Sequence, residues 1–192
     1  MCQNPLLDAS FCNWLLVVDR DLASEAQAAG CPVCDAPVHV SNYERKPAGG
    51  PSGLGGDFCN RFSFCCAADG CRKRLTPASV RFLGRRRYLG AVVVLAAAAR
   101  QCLSTTRDEQ LHEWLDVSRD TVRRWLHWWR TQFSTSPFWQ VARARLATPI
   151  LPAQLPLALV ETFVGEAANR LQACLRFLTP ISSPGARRNL AF

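Results

Sequence analysis

Apolar positions along the chain fall into three textures. From residue 5 to 29, Phe11, Trp14, Leu15, Val18 and Leu22 follow the spacing of an amphipathic helix, and Gly30 is placed to end it. From Cys31 to Cys71 the pattern breaks into short extended pieces divided by turns, with the Gly/Pro-rich PAGGPSGLGG as a loop among them. This stretch holds too few hydrophobes for a core of its own. After Thr76-Pro77, a helix start signal, apolar residues run through Val80 and Leu83 and then from Leu89 to Leu103. They predict a long buried helix, interrupted or bent near Gly84 or Gly90. Further helices are predicted at about 107–115 and 119–133, and the Pro-punctuated tail from Pro137 adds two or three more. The expected organisation is an N-terminal helix over 1–30, a β segment over 31–76, a helical domain over 77–134 and a helical tail over 135–192.

Cysteine supplies what the middle segment lacks. The chain has ten cysteines, and its N-terminus MCQNPLLDASFCNWLLVVDRD has no basic n-region and an apolar run of only Trp14 to Val18. It does not read as an export signal, so the expected setting is a reducing cytoplasm, with the protein on the nucleoid, where disulfides are rare. Cys31-Pro32-Val33-Cys34 is a C-x-x-C turn, and a second group, Cys65-Cys66 with Cys71, follows some thirty residues later. Two tight turns joined by short strands deliver the four thiolates that tetrahedral zinc takes, and binding energy then stands in for the missing core. The predicted ligands of one structural Zn2+ per chain are Cys31, Cys34, Cys66 and Cys71. Cys65 would leave five residues before Cys71 instead of four, a looser knuckle, and stays an alternative, as do Cys59 and His39. Cys2, Cys12, Cys102 and Cys174 lie in apolar helical settings and read as small buried hydrophobes. A redox C-x-x-C pair would need a βαβ context that the pattern lacks. The fold class is therefore mainly α with a small β zinc ribbon.

Charge narrows the choice of partner. The formal net charge is +8, distributed as −4 over residues 1–69, +10 over 70–147 and +2 over 148–192. A basic middle of that density is the footprint of a phosphate-backbone partner. No carboxylate occurs between Gly70 and Arg107, while Arg72, Lys73, Arg74 and the triplet Arg85, Arg86 and Arg87 all fall there. The longest apolar run, Leu89 to Ala99, has eleven residues, far short of the roughly 20 that span a bilayer, so no membrane partner is expected.

RDEQLHEWLDVSRDTVRRWLHWWRTQF carries a second motif. Leu111, Trp114 and Leu115 form the inner face of one predicted helix, and Val122, Trp125, Leu126 and Trp129 that of the next. Asp116-Val117-Ser118 make the turn, with Ser118 placed to cap the second helix through the amide of Thr121. This is the pattern of a helix-turn-helix within a helical bundle. Its recognition helix would present Arg119, Thr121, Arg123 and Arg124 to duplex DNA. Trp128 falls off the inner stripe and is the one tryptophan free to stack on a base.

The run from Cys31 through RKPAGG, FSFCCAADGCRKRLTPASVRFLGRRRYLGAVVVL and VSRDTVRRWLHWWR resembles a family of transposon-associated bacterial proteins that join a zinc ribbon to a helix-turn-helix. The resemblance covers residues 31–145. It implies binding to double-stranded DNA at element ends or a promoter, in an accessory or regulatory role beside a transposase or recombinase. A three-carboxylate transposase is not supported, because only Glu161 and Glu166 lie beyond Asp120. A tyrosine recombinase is no better supported, since the chain has only Tyr43 and Tyr88. The expectation is a non-enzymatic DNA-binding protein, with the C-terminal helices as candidate homodimer surface. The competing readings are a protein-interaction adaptor and an RNA-binding ribbon.

Overall fold

The computed structural model describes residues 7–45, 47–49, 55–84, 88–102 and 117–183. Within them the protein is mainly helical with small antiparallel sheets. Helix α1 (Ala9–Ala28) starts where Asp8 accepts a hydrogen bond from the Phe11 amide at 2.7 Å. It ends before Gly30, whose φ of +74° turns the chain; a Cβ there would lie 3.2 Å from the Ala36 carbonyl oxygen. Its buried residues are Phe11, Cys12, Leu15, Asp19 and Ala23. The packed stripe is thus rotated from the expected one: Leu22 is only half-buried, and Asp19 takes a core position.

The next segment holds strands β1 (Val38–Val40), β2 (Tyr43–Glu44), β3 (Asn60–Arg61), β4 (Phe64–Cys66) and β5 (Arg74–Leu75), with the short helix α2 (Gly56–Cys59) before β3. The order β1-β4-β5 forms one antiparallel sheet, registered by Val38 opposite Cys66, His39 opposite Cys65, and Cys65 opposite Arg74. β2 and β3 pair separately. The inner face buries Val38, Phe64 and Cys66 against Ala23 of α1 and Cys31.

Residues 76–84 do not form the predicted helix. Asp19 explains why: its carboxylate takes the Val80 amide at 2.7 Å, the Ser79 hydroxyl at 2.5 Å and Arg81 Nε at 2.7 Å, so the segment is tied down side-on. Gly84 then adopts a φ of +68°. The helix begins only at Gly90, where a Cβ would meet the Val80 carbonyl at 3.1 Å. This helix, α3 (Gly90–Cys102), is apolar on nearly all sides and buries Ala91 to Val94, Ala96 and Ala97 almost completely.

Around α3 pack α4 (Arg119–Trp128), α6 (Leu157–Glu161) and α7 (Ala167–Phe177), with α5 (Pro137–Ala142) beside them. The end of the predicted 119–133 helix is a π-helical turn, Trp129–Phe133. Its wider backbone leaves carbonyls to be satisfied by hydroxyls: Thr131 donates to the His127 carbonyl at 2.7 Å, Ser134 to Arg130 at 2.6 Å and Thr135 to Thr131 at 2.7 Å. Trp128 turns inward with Trp129, ring centroids 4.9 Å apart and edge-to-face, and both are buried. The expectation that Trp128 is free to stack on a base is therefore corrected. Among the described residues no helix is long and apolar enough to cross a membrane.

Candidate functional site

Cys31, Cys34, Cys66 and Cys71 converge so that their four sulfurs lie within 4.8 Å of one another. Sγ of Cys31 is 3.7 Å from that of Cys71, and Sγ of Cys34 is 3.4 Å from that of Cys66. Cys31 and Cys34 come from the turn after α1, and Cys66 and Cys71 from the end of β4 and the turn beyond it. Pairing of β1 with β4 places the two turns side by side. Four thiols at this separation form a donor set that soft metal ions take.

The backbone is arranged for sulfur as well. A backbone amide two residues further on faces each of the four: Val33 for Cys31, Ala36 for Cys34, Ala68 for Cys66 and Lys73 for Cys71. For Cys66 the Ala68 amide donates at 3.4 Å. Amides aimed at sulfur stabilise thiolate. The Val33 amide, with that of Cys34, draws the Cys31 thiol down to about 7. Burial pushes Cys66 up, while Cys34 and Cys71 are each held down by their amide and raised on balance by burial and neighbouring thiols. Cys31 and Cys66 are buried, Cys71 half-buried and Cys34 exposed, so the cluster opens on one side into a depression bordered by Val33, Ala68, Gly70 and Lys73.

The adjacent pair is resolved by the alternation of side chains along a strand. Cys66 points to the inner face and joins the cluster, whereas Cys65 points outward and contacts the Arg72 carbonyl at 3.6 Å. His39, opposite Cys65, is exposed on that outer face, and Cys59 closes α2; neither belongs to the group. Cys12 and Cys174 are buried among apolar residues. Burial, with Asp8 nearby, pushes Cys12 up to about 11, and complete burial pushes Cys174 up. Cys2 and the Cys102 side chain lie outside the described residues.

The basic residues divide. Arg72, Lys73 and Arg74 are exposed at the ribbon's edge. Arg72 pairs with Asp69, and Arg74 donates to the Ser41 hydroxyl at 2.8 Å while lying over the Tyr43 ring. Arg85, Arg86 and Arg87 lie outside the described residues, as does the predicted helix at 107–115. On α4, Arg119, Arg123 and Arg124 are exposed. Ser118 caps this helix, accepting from the Thr121 amide at 3.3 Å. Arg123 pairs with Asp120 at 3.2 Å, and Arg124 donates to the Thr121 hydroxyl at 3.0 Å.

The sequence reading missed a buried polar hub. Arg81 is fully buried, ion-paired with Asp19, and donates to the backbone carbonyls of Phe58 at 2.6 Å and Asn60 at 3.0 Å. The rings of Phe58, Phe62 and Phe82 surround its guanidinium. Arg61, also buried, donates to the Pro77 carbonyl and has its Nη1 unpaired. Charge that looks uncompensated in the sequence is thus partly compensated from α1, sixty residues away. No protein-family model, curated protein or solved structure matches the chain.

Proposed function

We propose that this is a zinc-stabilised protein that binds double-stranded DNA and has no catalytic role of its own. Four thiols and no other donor point to zinc, which takes four sulfurs at about 2.3 Å and so sets their mutual spacing near ~3.8 Å. The observed 3.4 and 3.7 Å separations are close to that value. The metal would be structural, since four protein sulfurs leave no position for a substrate.

The DNA reading rests on the two faces of α4. Val122, Trp125, Leu126 and Trp128 are buried, and Arg119, Arg123 and Arg124 stand in solvent at its N-terminal half. A helix so divided presents base-reading groups at its start, in the manner of a recognition helix. Arg72, Lys73, Arg74 and the triplet 85–87 would then hold phosphates. An accessory role in a mobile element, beside a transposase or recombinase, rests on the sequence resemblance alone.

Selection from random duplexes, run on wild type and on Arg123→Ala, tests this reading. Wild type is expected to enrich a sequence that the variant does not, because a bidentate arginine–guanine contact contributes about 1–3 kcal/mol of discrimination. If wild type binds no duplex, the protein-interaction reading replaces this one.

A further inference from the structure

Arg61 is left without a counter-charge. The residue is 2% exposed; its Nη2 donates to the Pro77 carbonyl, while Nη1, also buried, has no hydrogen-bond partner. Asp19, the carboxylate of this cluster, is committed elsewhere: Oδ2 takes the Ser79 hydroxyl and Arg81 Nε, and Oδ1 takes the Val80 amide. Arg81 and Asp19 therefore cancel, and no carboxylate among the described residues pairs with Arg61. Buried charges are ordinarily paired. A bridging water would satisfy the Nη1 hydrogen bond and leave the charge unbalanced. Burial draws this guanidinium down to about 10 from 12.5, a fall that Asp19 opposes only in part.

Strand pairing connects the bare nitrogen to the surface. Tyr43 of β2 stands directly opposite Arg61 of β3, so the two side chains share one face of this small sheet, and Glu44 belongs to the other. Tyr43 is 36% exposed, and its hydroxyl makes no hydrogen bond among the described residues. Arg74 lies over its ring, 5.6 Å from the centroid, and is itself exposed. The Phe82 ring gathers Arg61 at 5.9 Å, Arg81 at 5.1 Å and Arg45 at 5.3 Å. Even with Arg45 left out of the count, Arg61 and Arg74 flank Tyr43 with positive charge that Asp19 does not balance.

We propose that Arg61 and Tyr43 form a binding site for a phosphate group, entered from the exposed Tyr43 side. Arg61 Nη1 and the Tyr43 hydroxyl donate to two of its oxygens, and Arg74 adds charge at the mouth. Guanidinium groups match the several oxygens of a phosphate, where chloride offers one acceptor atom. The site does not depend on the α4 reading: the phosphate is either free in solution or a phosphodiester of nucleic acid.

Inorganic phosphate titrated into the full-length protein at constant ionic strength, followed by calorimetry and by the Nε–Hε resonance of Arg61, tests the site. Wild type should bind one phosphate per chain, saturably, with that resonance shifting in step. Arg61→Met should weaken binding about tenfold or more, and Tyr43→Phe about two- to fivefold. No saturable binding, or binding that leaves the Arg61 resonance unmoved, overturns the site, and so does equal binding by wild type and a folded Arg61→Met. Should Arg61→Met not fold, the wild-type resonance decides alone. Duplex DNA added to the phosphate complex then identifies the source: displacement assigns the site to a phosphodiester, and phosphate that stays bound assigns it to a free phosphate compound. Wild type that binds phosphate but no duplex keeps this site and overturns the DNA reading.

Discussion

In the ribbon, the inner face of the β1-β4-β5 sheet buries Val38, Phe64 and Cys66 with Cys31 and Ala23, and only half-buries Phe62 and Leu75 beside them. In the helical part, one continuous core runs from Leu7 through the tryptophans of α4 to Ile181. Of the five buried residues in that cluster two are cysteines of the candidate metal site and a third is lent by α1. Apolar burial is worth about 25 cal/mol per Å², so a face this small cannot offset the conformational entropy of some forty ordered residues at roughly 1–2 kcal/mol each. The helices can stand on burial; in the proposed zinc reading, metal on the four thiols supplies what the ribbon lacks.

Metal removal should separate the two regions most sharply. Purified protein is expected to carry about one zinc per chain by elemental analysis. Chelation or Cys34→Ser removes a binding free energy of about 10–16 kcal/mol and should erase the dispersed amide resonances of residues 31–75. None of the six tryptophans lies in that stretch. Tryptophan fluorescence should therefore stay unchanged while the ribbon resonances collapse. A fully folded metal-free protein would falsify the structural-zinc reading, and a tryptophan shift on chelation would show that the helices lean on the ribbon. Cys66→Ser should abolish metal binding where Cys65→Ser leaves it intact.

Next in size is the hub where the two regions meet. Removing one partner of a buried ion pair costs about 3–5 kcal/mol, so Asp19→Asn and Arg81→Met should each lower stability to urea by that order. Arg61 sits in the same cluster and should behave differently. Burial lowers its guanidinium to about 10 from the ordinary 12.5. At pH 7 the group is charged in both folded and unfolded chains, so folding carries the full cost of burying it. That cost begins to lift only as pH rises past about 10 and is gone above the unfolded 12.5. Arg61→Met is therefore expected to be neutral or stabilising at pH 7. Equal losses for Arg61→Met and Arg81→Met would show that the hub works as one indivisible network.

How far the sequence revealed this divide depends on the range of the forces involved. The four cluster cysteines were legible because a C-x-x-C turn and a tight C-x4-C turn are local chemistry; Cys66 was preferred over Cys65 for the tighter knuckle, and strand alternation is the structural reason that the choice is right. Ser118 was legible for the same reason, a cap acting over three residues. The 76–84 segment was not, since Thr76-Pro77 and the apolar run are honest local signals overridden by Asp19, sixty residues away in sequence. Arg61 and Arg81 look like surface cations until Phe82 lies over both and Phe58 and Phe62 close over Arg81. The π turn at Trp129 escaped because a 3.6-residue period does not register it; the Trp129 ring packs edge to face with those of Trp128 and Phe133 there.

The smallest effect concerns the two knuckles themselves. Asp35 and Arg72 each follow the second cysteine of a pair and have φ of 55° and 44°. A left-handed conformation costs a residue with a Cβ roughly 1–2 kcal/mol, less for aspartate, whereas glycine there loses about 0.5–1 kcal/mol of backbone entropy. Asp35→Gly should accordingly be close to neutral. Arg72→Gly should raise the stability of the metal-loaded ribbon by about 0.5–1 kcal/mol, reduced slightly by losing the exposed pair with Asp69, a class of interaction worth about 0–1 kcal/mol. The same change removes a proposed phosphate contact. The variant should resist chelator longer than wild type while its DNA salt slope falls by about one. Faster metal loss would mean that the Arg72 side chain, which pairs with Asp69 inside the second knuckle, holds the turn more strongly than its backbone strains it.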